Sequence, residues 1–323
     1  MDYLSGWCKS KKQLNSCTVI VTGSNTGIGK ETALDLYKRG ARVILACRNT
    51  DKANAAKEDI EHQTKTEAGT GELVVEELDL CSLRSVREFA QRVRSRERRL
   101  RVLVCNAGVM MCPEGRTEDG FETHIGSNHL GHALLTLLLL PTLIQNGPSR
   151  IVFVSSYLHE KYELDCDDLN FKQKPYNAYE AYCRSKAANI LFGKALADKL
   201  QEHNISAVST YSLHPGVIRT EISRHFNETA FYGSAWLFDN VLCWFLKSPR
   251  CGAQTTIYCA VDDTCAEQTG LYYSDCAVQT PSKQCGDRTE AAKLWDQTIS
   301  ALQLNITTFN PFGETNPTDD ASL

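Results

Sequence analysis

The sequence predicts an α/β protein built on a doubly wound parallel sheet of about seven strands with helices on both faces. Short β-branched runs alternate along the chain with longer segments in which apolar residues recur at helical spacing. Parallel strands must be joined by right-handed crossovers, which carry helices to both faces of the sheet. No repeat, low-complexity run or flexible linker divides the 323 residues, so one domain over residues 1–323 is expected.

Each element follows from its own pattern. The strand candidates, in chain order, are residues 18–21, 42–46, 73–78, 101–104, 150–154 and 207–211, with a seventh near 270–273. The helix candidates between them are residues 29–38, 51–65, 83–98, 120–144 and 179–202. The core is expected to cover about 16–300, and a polar tail that frays is expected from about residue 309.

Composition excludes several classes of protein. The formal net charge of −4 gives no electrostatic footprint for a nucleic-acid partner. Charged residues at 23% and hydrophobic residues at 42% argue against disorder and against a multispanning membrane protein. The first ten residues hold no apolar segment typical of a signal peptide, so a cytoplasmic protein with reduced cysteines is expected. His124, His129 and His132 have no acid or Cys at metal-ligand spacing, so no metal is expected.

The first predicted strand leads into a glycine-rich turn and then a helix, which is the context of a phosphate-binding turn in a Rossmann-type sheet. Glycines let the backbone approach a pyrophosphate, and a helix N-terminus offers unpaired N–H groups and a positive dipole end. The alternative is a glycine-rich loop without a ligand. The residues expected to contact a dinucleotide here are Gly23, Asn25, Thr26, Gly27, Ile28 and Gly29.

The second predicted strand ends in Arg48 and Asn49, where an NAD site usually places an acid for the ribose 2′-hydroxyl. A carboxylate would repel the 2′-phosphate of NADP, whereas Arg48 can pair with it. The sequence therefore predicts NADP(H) as the cofactor. The alternative is that Arg48 is a solvated surface residue.

Polar residues at three further places predict chemistry. Tyr182 and Lys186 are four residues apart on a predicted helix, so the phenol and the ammonium can meet one ligand. A nearby positive charge favours the phenolate form of a Tyr. Asn106 and Ser156 follow the fourth and fifth predicted strands, at the carboxyl ends where such sheets bind ligands. A hydroxyl there can hold a substrate oxygen against the Tyr.

In combination these features resemble the short-chain dehydrogenase/reductase superfamily over about residues 16–300, and within it the NADP-dependent retinol dehydrogenase group. The segments that carry the resemblance are Thr22–Glu31, Leu45–Arg48, Asn106–Gly108, Asn128–His132, Val154–Ser156, Tyr182–Lys186 and His214–Gly216.

The resemblance implies a catalytic set. Tyr182 would be the general acid/base and Ser156 would orient the substrate oxygen. Lys186 would bind the nicotinamide ribose and lower the pKa of Tyr182, and Asn128 would hold a relay water. The cofactor contacts that it implies beyond the turn are Asp79 and Leu80 near the adenine, Asn106, Ala107 and Gly108 along the adenosine, Tyr182 and Lys186, and Pro215, Gly216 and Val217 at the nicotinamide.

The chain departs from the family pattern in three places. Ser156 and Tyr182 are 26 residues apart, about twice the usual spacing, so residues 157–176 are expected to loop out. Cys105 stands where an Asn often precedes Asn106. The N-terminal hydrophobic anchor of several retinol dehydrogenases is missing, which argues against stable membrane residence.

Residues 219–250 are rich in aromatic side chains, and in this family the corresponding segment covers the substrate. An aromatic lid suits a small lipophilic carbonyl or alcohol substrate. The alternatives are packing on the sheet, a homodimer interface, or peripheral contact with an intracellular membrane.

The function predicted from the sequence is NADP(H)-dependent reduction of a lipophilic, retinal-like aldehyde or ketone. Two rivals remain open: a catalytically silent NADP-binding sensor or scaffold, and an epimerase or reductase of nucleotide sugars.

Overall fold

The computed structural model describes residues 2, 5–218, 247–304 and 309–313. Its strands are β1 (Thr18–Thr22), β2 (Arg42–Cys47), β3 (Glu72–Glu77), β4 (Leu100–Cys105), β5 (Ser149–Val154), β6 (Val208–Leu213), β7 (Leu271–Ser274) and β8 (Ala277–Gln279). They form one sheet in the order β3-β2-β1-β4-β5-β6-β7-β8. β8 is antiparallel to β7, and the other pairings are parallel. The Rossmann-type prediction is therefore confirmed.

Helices connect the strands. Within the described ranges the α-helices are α1 (Gly27–Lys38), α2 (Thr50–Gln63), α3 (Leu83–Arg96), α4 (Gly131–Gln145), α5 (Ala178–Glu202), α6 (Pro249–Val261), α7 (Lys283–Gly286) and α8 (Arg288–Ala301). A six-residue π-helix, Ile125–Leu130, runs directly into α4.

The central strands β1, β2, β4 and β5 are buried on both faces, which explains why they are mostly apolar. Alternate residues of β1 serve different cores: Ile20 joins the cluster with α3, α4, α5 and α8, whereas Val19 and Val21 join the cluster with α1 and α6. The segment Ile125–Gln145 is long and apolar enough to cross a membrane, but 94% of its most apolar window is buried inside the protein. It is therefore the core helix of this fold.

Several predicted boundaries are wrong. The helix expected from residue 120 begins only at Thr123, because the Glu122 carboxylate accepts the backbone N–H groups of His124 (2.9 Å) and Ile125 (2.8 Å) and caps the helix there. The seventh strand is present as β7. The eighth, β8, was not predicted, because it is three exposed residues long and shows no apolar alternation.

The expectation of a frayed tail from residue 309 is also wrong at its start. Phe309 is buried in the core, and the ring of Phe312 stacks on His203 with centroids 4.2 Å apart. Residues 305–308 and 314–323 lie outside the described ranges. Every strand within those ranges belongs to one sheet, and the single domain stays a prediction.

The strand order reverses between β1 and β4, because β1 is followed along the sheet by β2 on one side and by β4 on the other. In open α/β sheets ligands bind outside the carboxyl ends of the strands at such a switch point. The turn after β1 and the loops after β2 and β4 meet there.

Candidate active site

A cavity of about 370 Å³ lies at the switch point. It is lined by thirteen of the residues predicted to bind the cofactor: Gly23, Asn25, Thr26, Gly27, Ile28, Gly29, Arg48, Asn49, Asp79, Leu80, Asn106, Ala107 and Gly108. The other lining residues were not predicted: Ala46, Cys47, Lys52, Leu78, Cys81, Val109 and Ser127.

The turn after β1 is shaped to admit an anion. Gly23 and Gly27 have φ values of +64° and +56°, a left-handed conformation that L side chains rarely adopt. A Cβ at Gly29 would lie 2.5 Å from the carbonyl oxygen of Gly23, so the close turn requires glycine there. Thr26 makes no side-chain cap at the start of α1, which leaves the first N–H groups of the helix free of that partner. Such groups and the helix dipole favour a phosphate.

The Asn106 loop is fastened to the end of β1. The backbone N–H groups of Asn106 and Ala107 both donate to Thr22 Oγ1 at 2.9 Å, and Asn106 Nδ2 donates to the Thr22 carbonyl at 2.8 Å. These bonds hold the loop after β4 beside the glycine turn.

Two cationic side chains line the cavity near the end of β2, where a Rossmann-type site would hold the adenosine ribose of a dinucleotide. Arg48 follows β2 and is exposed, and Lys52 lies in the first turn of α2 and is also exposed. Asn49 caps α2 by accepting the Lys52 N–H at 2.8 Å. Asp79 is the only acid that lines this cavity within the described residues. Lys52 was missed, although its position four residues after Arg48 at a predicted helix start was a usable signal.

Tyr182 and Lys186 lie on α5 as predicted, and both side chains are buried. The Lys186 ammonium is 5.8 Å from the centroid of the Tyr182 ring and donates to the Val154 carbonyl at 2.9 Å. Removal from water disfavours the charged form, so the pKa of Lys186 falls to about 8.

The pKa of Tyr182 moves in the direction opposite to the one expected. Burial raises it to about 12, and the hydrogen bond with Ser156 opposes only part of that rise. The expectation considered the ammonium of Lys186 but not the loss of water around the phenol. Tyr182 is therefore a protonated phenol at neutral pH.

Asn128 lies in the π-helix, and its amide is fully engaged. Oδ1 accepts the Val109 N–H at 2.8 Å, while Nδ2 donates to the Val109 carbonyl at 3.0 Å and to Ser185 Oγ at 2.9 Å. A Cβ placed on Gly108 would lie 3.2 Å from Lys186 Nζ and 3.3 Å from Asn128 Oδ1. The structure thus brings Asn128 and Lys186 together at one end of the cavity loop, separated by a glycine.

The two serines after β5 have different hydrogen-bond partners. Ser155 Oγ donates to the backbone carbonyl of Lys186 at 2.6 Å and so ties β5 to α5. Ser156 Oγ accepts the Leu158 N–H at 3.2 Å, and its interaction with the Tyr182 phenol opposes part of the rise in the pKa of Tyr182.

Pro215, Gly216 and Val217 follow β6 and do not line the cavity. Gly216 has a φ of +91°, and a Cβ there would meet the Lys247 side chain at about 3.0 Å. The aromatic lid predicted over 219–250 lies outside the described residues from 219 to 246.

The histidines that the sequence analysis discounted have structural partners. His129 Nε2 lies 2.9 Å from Thr298 Oγ1, and His124 Nδ1 lies 2.7 Å from Glu122 Oε1. Among the described residues no group of three His, Cys, Asp or Glu is arranged to hold a metal ion. The cysteines in those residues are all free.

A family model for short chain dehydrogenase matches residues 17–230 of the chain. The chain belongs to the short-chain dehydrogenase family.

Similar curated proteins extend that assignment for this short-chain dehydrogenase. Human Retinol dehydrogenase 11 is 46% identical over 302 residues, which cover 94% of this chain and 91% of the relative. Human Retinol dehydrogenase 13 is 44% identical over 307 residues, which cover 94% of this chain and 90% of the relative. The resemblance to the retinol dehydrogenase group is confirmed.

Solved structures agree with the fold. A protein of Mycobacterium Paratuberculosis is 32% identical with a TM-score of 0.72, covering 93% of this chain and 99% of its own. A short chain dehydrogenase of Shigella flexneri complexed with NADP is 25% identical with a TM-score of 0.61. The match covers 83% of this chain and 100% of the Shigella chain.

Proposed function

We propose that this short-chain dehydrogenase is an NADP(H)-dependent oxidoreductase that reduces a lipophilic, retinal-like aldehyde or ketone. One observation carries the proposal. The Asn106–Gly108 loop lines the cavity, and Gly108 lies so near the Lys186 and Asn128 side chains that a Cβ on it would be 3.2 Å from Lys186 Nζ and 3.3 Å from Asn128 Oδ1. A dinucleotide lying along that loop would run from the Arg48 end of the cavity toward the buried phenol of Tyr182.

The residues present fit NADP(H). The glycine turn and the uncapped N-terminus of α1 would hold the pyrophosphate, and Arg48 and Lys52 would hold the 2′-phosphate. The cofactor, when bound, supplies the hydride that the carbonyl carbon accepts. A similar short chain dehydrogenase was crystallised with NADP, which supports the choice of cofactor.

The chain's own groups handle the proton. Tyr182 is protonated at neutral pH because burial raises its pKa to about 12, so it can donate its proton to a carbonyl oxygen. The Ser156 hydroxyl interacts with the Tyr182 phenol, which opposes part of the rise in its pKa, and would orient the same carbonyl oxygen. Lys186, when protonated, would favour the phenolate that remains, and Asn128 holds the loop beside Lys186. A phenol poised as a donor suits reduction.

The substrate proposal follows from the relatives and from the surface near the site. Several similar proteins are named retinol dehydrogenases. Tyr157, Tyr162 and Val217 are large apolar side chains left exposed in the loops after β5 and β6. Such side chains favour a lipophilic substrate over a sugar or an acid.

An NADPH-oxidation screen over aldehydes and ketones graded by chain length and polarity tests the activity. We expect kcat/KM to rise with chain length and to be highest for retinal-like aldehydes. Turnover of small polar carbonyls alone would contradict the substrate assignment. NADPH binding without turnover of any carbonyl would instead favour a silent NADP-binding protein.

The Arg48→Ala variant tests the cofactor. We expect the dissociation constant for NADPH to rise by about 10- to 100-fold and that for NADH to change by less than about twofold, because a charge-assisted bond to the 2′-phosphate is lost. Lys57→Ala is the matched control, since Lys57 lies on α2 but pairs with Glu61 outside the cavity. An unchanged NADPH-to-NADH ratio would refute the role of Arg48.

A further inference from the structure

His132 lies one helical turn after Asn128, at the start of α4, and is completely buried. Its Nδ1 is 2.9 Å from the backbone carbonyl oxygen of Asn128, and its Nε2 is 2.9 Å from Thr22 Oγ1. Thr22 is the last residue of β1 and directly precedes Gly23 of the cofactor turn. One imidazole therefore bridges the turn and the π-helix.

The chemistry of the partners fixes the direction of every bond. The Asn128 carbonyl can only accept, so Nδ1 must carry the hydrogen. The pKa of His132 falls to about 4 because of its burial, so the ring is neutral and Nε2 is an acceptor. The Thr22 hydroxyl then donates to His132 Nε2 at 2.9 Å. The other acceptor within its reach, the Val104 carbonyl, is farther away, at 3.3 Å.

The Thr22 oxygen in turn accepts the N–H groups of Asn106 and Ala107. A single directed chain thus runs from the adenosine-side loop through Thr22 and His132 to the carbonyl of Asn128. The Thr22 and His132 side chains are both completely buried, where each polar group costs free energy unless it is paired. An apolar residue at 132 would fill the same space without that demand.

We propose that His132 is a positioning residue that couples the cofactor-binding loop to the Asn128 end of the catalytic group. The Thr22 end of the imidazole sets the loop that meets the cofactor, and the Asn128 end holds the backbone carbonyl of Asn128 in the π-helix. The proposal rests on the proposed function, since it assigns the two ends to cofactor binding and to turnover.

Two variants separate the two ends. In His132→Gln the side-chain oxygen can take the place of Nε2 and keep the bond from Thr22, while the bond to Asn128 is lost. In His132→Asn the side-chain amide can take the place of Nδ1 and keep the bond to Asn128, while the bond from Thr22 is lost. His132→Leu loses both bonds.

The measurements are the NADPH dissociation constant by fluorescence titration, kcat at saturating cofactor, and Tm. For His132→Gln we expect kcat to fall about tenfold with the dissociation constant within about twofold of wild type. For His132→Asn we expect the dissociation constant to rise about five- to tenfold with kcat within about threefold. Thr22→Val loses the same bond and also the acceptor of the Asn106 and Ala107 N–H groups, so its dissociation constant should rise at least as much as that of His132→Asn. The double variant should bind NADPH no more weakly than Thr22→Val alone.

If His132 is purely structural, a different result is expected. The variants would then change the NADPH dissociation constant and kcat together, in step with Tm. That pattern would overturn the proposal. Amide hydrogen exchange of residues 105–108 in the cofactor-free protein gives a test that does not depend on activity. We expect it to speed up in His132→Asn and Thr22→Val but not in His132→Gln. Equal exchange in all three would overturn the coupling even if the enzymatic proposal holds, and the expected pattern would stand even if no carbonyl is turned over.

Discussion

Replacing Tyr182 with Phe is expected to lower kcat by about 10³-fold while the NADPH dissociation constant changes by less than about twofold. The substitution removes one oxygen and keeps the buried ring, so packing against His124, whose ring centroid lies 6.3 Å away, is retained. The lost group is the proton donor. The remaining rate would come from binding the reactants together, which does not need the phenol.

Steady-state NADPH oxidation and fluorescence titration of the cofactor check this expectation. Tyr179→Phe is the matched control, because Tyr179 lies on the same helix three residues earlier and its ring packs on Tyr162. It should keep nearly full activity. A Tyr182→Phe protein that reduces carbonyls at the wild-type rate would remove Tyr182 from the reaction and leave the cofactor site untouched.

The glycine turn and the strand ends could be predicted from the sequence because their chemistry is local. Gly23 and Gly27 need positive φ values, and the residues after β2 and β4 must share one edge of a parallel sheet. Thirteen predicted residues consequently meet in one cavity. No long-range information was needed for that part of the site.

The rest of the site depends on packing between distant elements. The hydrogen bond between Thr22 and His132 joins positions that are 110 residues apart. The sequence around His132 does not indicate that its partner is Thr22. The start of the helix at Thr123 is set by the buried Glu122 carboxylate rather than by the apolar pattern. Neither feature has a periodic signature.

The pKa of Tyr182 shows why a motif alone gives the wrong direction for a pKa shift. Tyr and Lys four residues apart suggest a stabilised phenolate. In the fold both side chains are removed from water, which disfavours both charged forms, so the pKa of Tyr182 rises and that of Lys186 falls. The motif gives the neighbours of a group but not its burial.

Lys186→Met is expected to lower kcat by about 10²-fold or more and at the same time to make the cofactor-free protein more stable by roughly 2 kcal/mol at pH 7. The activity falls because the charge that favours the Tyr182 phenolate is lost. The stability rises because a buried ammonium, bonded to the Val154 carbonyl, is replaced by an apolar chain of similar length.

The pH dependence gives the sign of that stability change. The pKa of Lys186 is about 8 in the folded protein, against its ordinary value of 10.5. The unfolded chain therefore binds the proton more tightly, and the cost of folding with a charged Lys186 is fully present below about pH 8 and disappears as the pH rises toward 10.5. The advantage of Met should accordingly be largest near pH 7 and shrink at pH 10.

Urea unfolding of the cofactor-free protein at pH 7 and pH 10, beside steady-state kinetics, measures both effects. Lys194→Met is the matched control: Lys194 lies two turns further along α5 and is partly exposed, so its loss should change stability by less than about 0.5 kcal/mol and leave kcat intact. A Lys186→Met protein that is both slower and less stable would identify Lys186 as a structural residue. One that is slower but more stable would show that the fold accepts a buried charge for the sake of the reaction.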